Sequence, residues 1–147
     1  MQSTLKKGGD FNATGIKSSI PGSTTTSIPG RVVLVSKVIP SGATAYLKFW
    51  SAKVIDVGNA DQVYFAITRN GTPIQSGMER IPGFQFDYQA QIEMGILVRS
   101  GLIEIVGYNI SGMLATIESD ALAVAVAVNC QAWWIGDLLS ERGGIQL

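Results

Sequence analysis

The sequence predicts an all-β protein, an antiparallel two-sheet sandwich of about eight strands in a jelly-roll-like arrangement, preceded by an extended N-terminal arm. Three observations carry that prediction. Residues 84–94, FQFDYQAQIEM, alternate Phe84, Phe86, Tyr88, Ala90, Ile92 and Met94 with Gln85, Asp87, Gln89, Gln91 and Glu93. That is the period-two pattern of a strand with one buried and one wet face, and a helix would scatter the aromatics. Turn-forming Gly, Pro, Asn and Ser clusters recur every 8–15 residues, and 17 glycines accompany a 46% hydrophobic composition, as suits a turn-rich sandwich.

In chain order, residues 1–30 are dominated by Ser, Thr, Gly and Pro, with apolar residues only singly at Leu5, Phe11, Ile16, Ile20 and Ile28. Such a segment buries too little surface to offset its own ordering entropy, so it reads either as a frayed tail or as a flexible arm that orders on a partner. The folded domain is expected over 31–147. Its first strand is RVVLVSKVI from Arg31, stopped by the turn Pro40-Ser41-Gly42; the second is Ala45–Val57, with aromatics on both faces and therefore sandwiched on each side or bulged midway. Gln62–Arg69 is the third strand. Asn70-Gly71 closes a two-residue hairpin, because both central positions of a type I′ turn take positive φ. Pro73 limits the return arm to a short or edge strand, since proline gives no amide to a ladder.

After the long strand ending at Met94, Ser100-Gly101 marks a further turn, and Leu102–Ile110 reads as a strand whose Gly107 suggests a bulge or a close backbone approach. Ala121–Val128 (ALAVAVAV) alternates again, with Leu122, Val124, Val126 and Val128 on one face. Ala121, Ala123, Ala125 and Ala127 form the other, a small apolar face that suits close packing of a neighbouring subunit or of the arm. Trp133 and Trp134, being adjacent, point to opposite sides of a strand, one to the core and one to a surface contact. Asp137–Ser140 could make one helical turn. The candidate contact residues are thus Ala121, Ala123, Ala125, Ala127, Trp133 and Trp134, with Lys6, Lys7 and Lys17 of the arm.

Composition narrows the function. There is no histidine, and Cys130 is the single cysteine, so histidine-based triads, Cys/His zinc sites and internal disulfides are excluded. The Thr14–Ser18 segment lacks the glycine spacing of a phosphate loop, and Ser51/Lys53 reads as an ordinary strand face. Asp56 and Asp61 flank one turn as the best calcium candidates, while Asp87 and Glu93 stand roughly 20 Å apart along a strand, too far for paired acid–base work. No cofactor is expected. Residues 1–55 carry seven basic side chains against Asp10 alone, and the rest of the chain carries the compensating acidic surplus. The lysines are scattered without aromatic platforms, which argues against nucleic acid; they read as solvated strand faces or as a basic arm lying on an acidic neighbouring face. The longest apolar run, Ala121–Val128, is too short to cross a bilayer as a helix, and no secretory signal is visible, so synthesis in a reducing cytoplasm is expected. A charged share of only 15% is low for a monomer and points to a homo-oligomer, a trimer by preference.

Over Gly95–Gly112, GILVRSGLIEIVGYNISG, and the block ending in Asn70-Gly71, the chain resembles small β-sandwich proteins of tailed bacteriophage particles, such as head decoration (cement) proteins and fibre or collar accessories. The resemblance spans Arg31–Trp134 and is one of layout. It implies a non-enzymatic virion component that oligomerises and clips onto a major capsid or other virion protein through its arm. The alternative is a carbohydrate- or receptor-binding sandwich, using Gln85, Asp87, Gln89 and Gln91 with an exposed tryptophan.

Overall fold

The computed structural model describes residues 5–20, 30–55, 63–74, 81–82, 91–109 and 128–141. Several expectations lie outside them: residues 84–90 of the alternating strand, the alanine face at 121–127, and Asp56 and Asp61. The strands are β1 (Leu5–Asp10), β2 (Ala13–Ile20), β3 (Gly30–Val54), β4 (Val63–Arg69), β5 (Thr72–Pro73), β6 (Ile81–Pro82), β7 (Ile92–Asn109) and β8 (Val128–Glu141). They form one antiparallel sheet ordered β1-β8-β3-β7-β4-β5, with β2 also on β8 and β6 also on β4. The protein is all-β, and no helix occurs among the described residues.

Two expected turns are not chain reversals. Pro40-Ser41-Gly42 and Ser100-Gly101 lie inside β3 and β7, which stay paired on either side of them, with a register break between Ile39 and Thr44. Ile39 pairs with Gly101, whose φ is 152°, and Thr44 pairs with Arg99, so residues 40–43, with Gly42 at a φ of 83°, fall in the break. The break takes up the extra residues of β3, so the pair passes through it and continues. The first half of β3 pairs only with β7, whereas Ala43–Val54 also pairs with β8.

Beyond the break, β3 carries the midway bulge that its two-sided aromatics suggested. Both neighbours skip Lys48, pairing Leu47 and then Phe49. The extra residue changes the alternation, so Ala45, Leu47, Trp50 and Ala52 are all buried on one face while Tyr46 and Phe49 share the other. The hairpin at Asn70-Gly71 forms as read, with φ of 50° and 87°, and its return arm β5 is two residues long at the end of the sheet order. Asp137–Ser140 is strand, not a helical turn, because pairing with both β1 and β3 claims its backbone.

The largest revision concerns the N-terminus. Residues 5–20 line the edge of β8 as β1 and β2. Phe11 between them is 1% exposed and belongs to the core with Leu34, Leu47, Trp50, Phe65, Ile103, Ile105 and Trp134. Core-forming residues therefore begin before Arg31. Gly15 of β2 lies so close to the Leu34 carbonyl that a Cβ there would overlap it, so β2 packs on the first half of β3 without pairing with it.

Candidate functional site

Residues directly opposite in an antiparallel ladder share a face, which lets the surface away from the core be read from the register. Trp134 pairs with Trp50 and Ala13, all on the inner side; Trp133 pairs with Ser51 and Thr14, and Gln131 with Ile16, on the outer side. Phe49 lies between Ile135 and Glu93 in the next outer row. The outer face of β2, β8 and β3 thus carries Ile16, Trp133, Ile135 and Phe49. Ile16 is 62% and Ile135 40% exposed, and Trp133 and Phe49 are half-buried.

Further along the same face the surface turns charged. Asp137 stands between Asp10 and Tyr46 in the register. One oxygen of its carboxylate meets Lys7 Nζ at 3.3 Å and the other meets Lys48 Nζ at 3.3 Å; Lys7 also reaches Asp10 at 3.1 Å. The bulge at Lys48 brings its ammonium to Asp137. Partial burial pushes the Asp137 carboxyl up, but hydrogen bonds from Lys48 and Lys7 outweigh it and hold the group below the usual carboxylate range. The Lys7 ammonium is raised, first by its bond to Asp10 and then by Asp137. The opposed charges of the two ends of the sequence thus meet within one chain at this network.

Between the apolar and charged halves lies a hollow of about 500 Å³ lined by Tyr46, Lys48, Phe49, Glu93, Met94 and Gly95. Gly95 has a φ of 64°, and a Cβ there would stand 3.5 Å from the Tyr46 hydroxyl. A second hollow of about 310 Å³ lies by Arg69, Pro73, Ile74, Leu97 and Arg99. Arg69 is occupied there, donating from Nε to Ser100 O at 3.1 Å and to Arg99 O at 3.2 Å. No group of three or more His, Cys, Asp or Glu placed to hold a metal occurs among the described residues. Two aromatic faces beside a carboxylate and an ammonium suit noncovalent recognition.

Of the residues singled out from sequence, Trp133 lies on the outer face and Lys7 in the ion-pair network. Trp134 is 1% exposed and is withdrawn from the contact surface. Lys6 and Lys17 stand opposite Ser140 and Cys130 in the register. Ala121, Ala123, Ala125 and Ala127 are outside the described residues. Ile16, Phe49, Ile135, Lys48, Asp10 and Asp137 were not singled out as surface residues. The two-sided aromatics of residues 45–57 hinted at the bulge but did not locate it at Lys48. No protein-family model matches the chain, and no curated protein is significantly similar to it.

Proposed function

We propose that this protein is a non-enzymatic structural component of a tailed-bacteriophage particle, a capsid decoration or cement protein that associates with its own copies and seats on the shell. The observation that carries the reading is the apolar stretch on the outer face, Ile16, Trp133, Ile135 and Phe49, on a chain of low charge. Large exposed aliphatic groups beside a half-buried tryptophan gain by being covered, and a sheet face presents them as a platform for another subunit. In this reading the sheet closes on itself as a jelly-roll-like sandwich. The close approach of β2 to the first half of β3 at Gly15 and Leu34 supports that closure.

Light scattering is expected to give a multiple of 15.6 kDa at micromolar concentration, a trimer by preference. Ile135→Lys is expected to shift the protein toward monomer and to reduce its cosedimentation with undecorated particles, with an unchanged melting temperature. A wild-type monomer that does not cosediment would overturn the reading.

A second reading is a carbohydrate-binding module. It is favoured by the hollow in which Tyr46 and Phe49 lie beside Glu93 and Lys48, since aromatic faces suit sugar C–H groups and charged rims suit hydroxyls. A glycan array tests it: binding that Tyr46→Ala abolishes would support it, and an empty array would exclude it.

A further inference from the structure

Matched irregularities in β3 and β7 build the larger hollow on the outer face. On β3 the pairing passes from Leu47 to Phe49 and skips Lys48; on β7 it passes from Ile96 to Glu93 and skips Met94 and Gly95. Residues three apart in a regular strand point to opposite faces, but the extra residue at Lys48 sets Tyr46 and Phe49 on the same one. Gly95, with a φ of 64°, stands beside Tyr46, and a Cβ built on it lies 3.5 Å from the Tyr46 hydroxyl. Having no side chain, it fills none of the space that the two aromatic residues frame. Glu93 stands opposite Phe49 in the register and completes the lining with Met94 and Lys48, around a volume of about 500 Å³.

The charges around this hollow do not all cancel. Lys48 Nζ is 3.3 Å from Asp137, Asp137 also takes Lys7, and Lys7 takes Asp10, so two ammoniums and two carboxylates balance within that network. Among the described residues Glu93 has no ion-pair partner. The Tyr46 and Phe49 rings make no ring contact with each other, and no ammonium of the described residues lies over either; the one cation placed over a ring is Lys37, on Phe11. Two aromatic faces therefore stand beside one unopposed carboxylate. The face of an aromatic ring is electrostatically negative and attracts a cation, more strongly once water is excluded. A primary ammonium brings three N–H donors that need acceptors, and the strong acceptors of the lining side chains are the Glu93 carboxylate and the Tyr46 hydroxyl. A quaternary ammonium needs none, and its methyl groups suit Phe49 and the Met94 thioether.

We propose that this hollow binds a quaternary ammonium group, its methyls against Tyr46, Phe49 and Met94 and its charge opposed by Glu93. The site goes beyond both readings above, since it requires neither a second copy nor a sugar and recognises a positive charge in place of hydroxyls. The Lys48–Asp137 pair has a part in it, because it draws the one ammonium among the lining residues toward β8.

Choline and its uncharged carbon isostere, in which a tert-butyl group replaces the trimethylammonium, test the site. Each is titrated into the full chain and followed by NMR at the Gly95 amide and at the Tyr46 and Phe49 rings. Choline is expected to shift these resonances and to bind about tenfold more tightly than the isostere, the discrimination of a partly desolvated cation–π site. Phe49→Leu and Glu93→Gln are each expected to weaken choline several-fold. Glu93→Gln changes charge on an exposed side chain at constant shape, so it carries the test even where loss of the Phe49 ring disturbs the fold. Equal binding of the two compounds overturns the proposal, since the hollow would then read shape alone. So does the absence of choline binding, or choline binding that Glu93→Gln leaves unchanged.

Discussion

Phe11 shows how much one side chain can organise. Its ring is buried against Trp134, its carbonyl accepts the indole N–H, and its amide is satisfied by Gly136. Lys37 lies on the same face of β3 as the buried Val35 and Ile39, yet its ammonium escapes over the Phe11 ring to the Asn12 carbonyl, a long side chain lending its stem to the core and its head to the rim. Phe11→Ala is expected to cost about 3–5 kcal/mol in urea unfolding, the range for emptying a buried phenylalanine site. A loss below about 1 kcal/mol would mean that the segment contributes little to the fold.

Asp137 gives the second prediction at this scale. Its folded-state carboxyl lies below the ordinary value of 3.8 because Lys48 and Lys7 outweigh partial burial. A lowered carboxylate contributes stability that is present above the unfolded value and is lost as pH falls through the folded one. Asp137→Asn is therefore expected to melt below wild type by a constant margin above about pH 4, the margin closing in more acidic solution and shrinking with salt. Lys7 has the opposite sign: its raised ammonium contributes below 10.5 and the contribution fades as pH rises through the higher folded value. A margin that grew on acidification would contradict the assignment.

Among the elements, the β4–β5 hairpin is built from local chemistry. Asn70 and Gly71 both have positive φ, and the Asn70 side chain accepts from Leu102 N at 2.9 Å, fastening the turn to β7. A side chain at Gly71 would meet open space, so the cost of Gly71→Val is one of backbone conformation alone, expected at about 1 kcal/mol or more. A wild-type melting temperature for that variant would remove the turn from the account. The contrast with Gly15 is instructive: there the backbone is ordinary, and the requirement is room beside the Leu34 carbonyl. The long strands β3 and β7 depend on partnership, since they pair on both sides of the break at residues 40–43, where Gly42 has a positive φ, and both continue.

For the molecule as a whole, the N-terminal segment has a different standing from the one its composition suggests. With β1 and β2 on the edge of β8 and Phe11 in the core, deletion of residues 1–20 is expected to lower the urea midpoint further than Phe11→Ala does, because it uncovers a strand edge as well as a pocket. A truncated chain that unfolds at the wild-type midpoint would restore the view of a dispensable arm.

Sequence by itself determined what local rules can determine. The all-β class follows from period-two alternation and turn spacing, the type I′ turn from Asn70-Gly71, the short return arm from Pro73, a bulge from the two-sided aromatics of residues 45–57, and opposite sides for Trp133 and Trp134 from their adjacency. Each depends on residues a few positions apart, where backbone sterics and strand geometry leave few choices. Other features were decided only in three dimensions. Phe11 is a lone apolar residue in a polar segment, and its burial needs Trp134, 123 residues away. Pro40-Ser41-Gly42 reads as a reversal until pairing of both its flanks with β7, at Ile39–Gly101 and Thr44–Arg99, makes it an irregular stretch of one strand. The Asp137 network needs three strands side by side and an extra residue at Lys48. Pairing between distant strands is set by the burial and hydrogen bonding of the whole sheet, and no short window of sequence contains both partners.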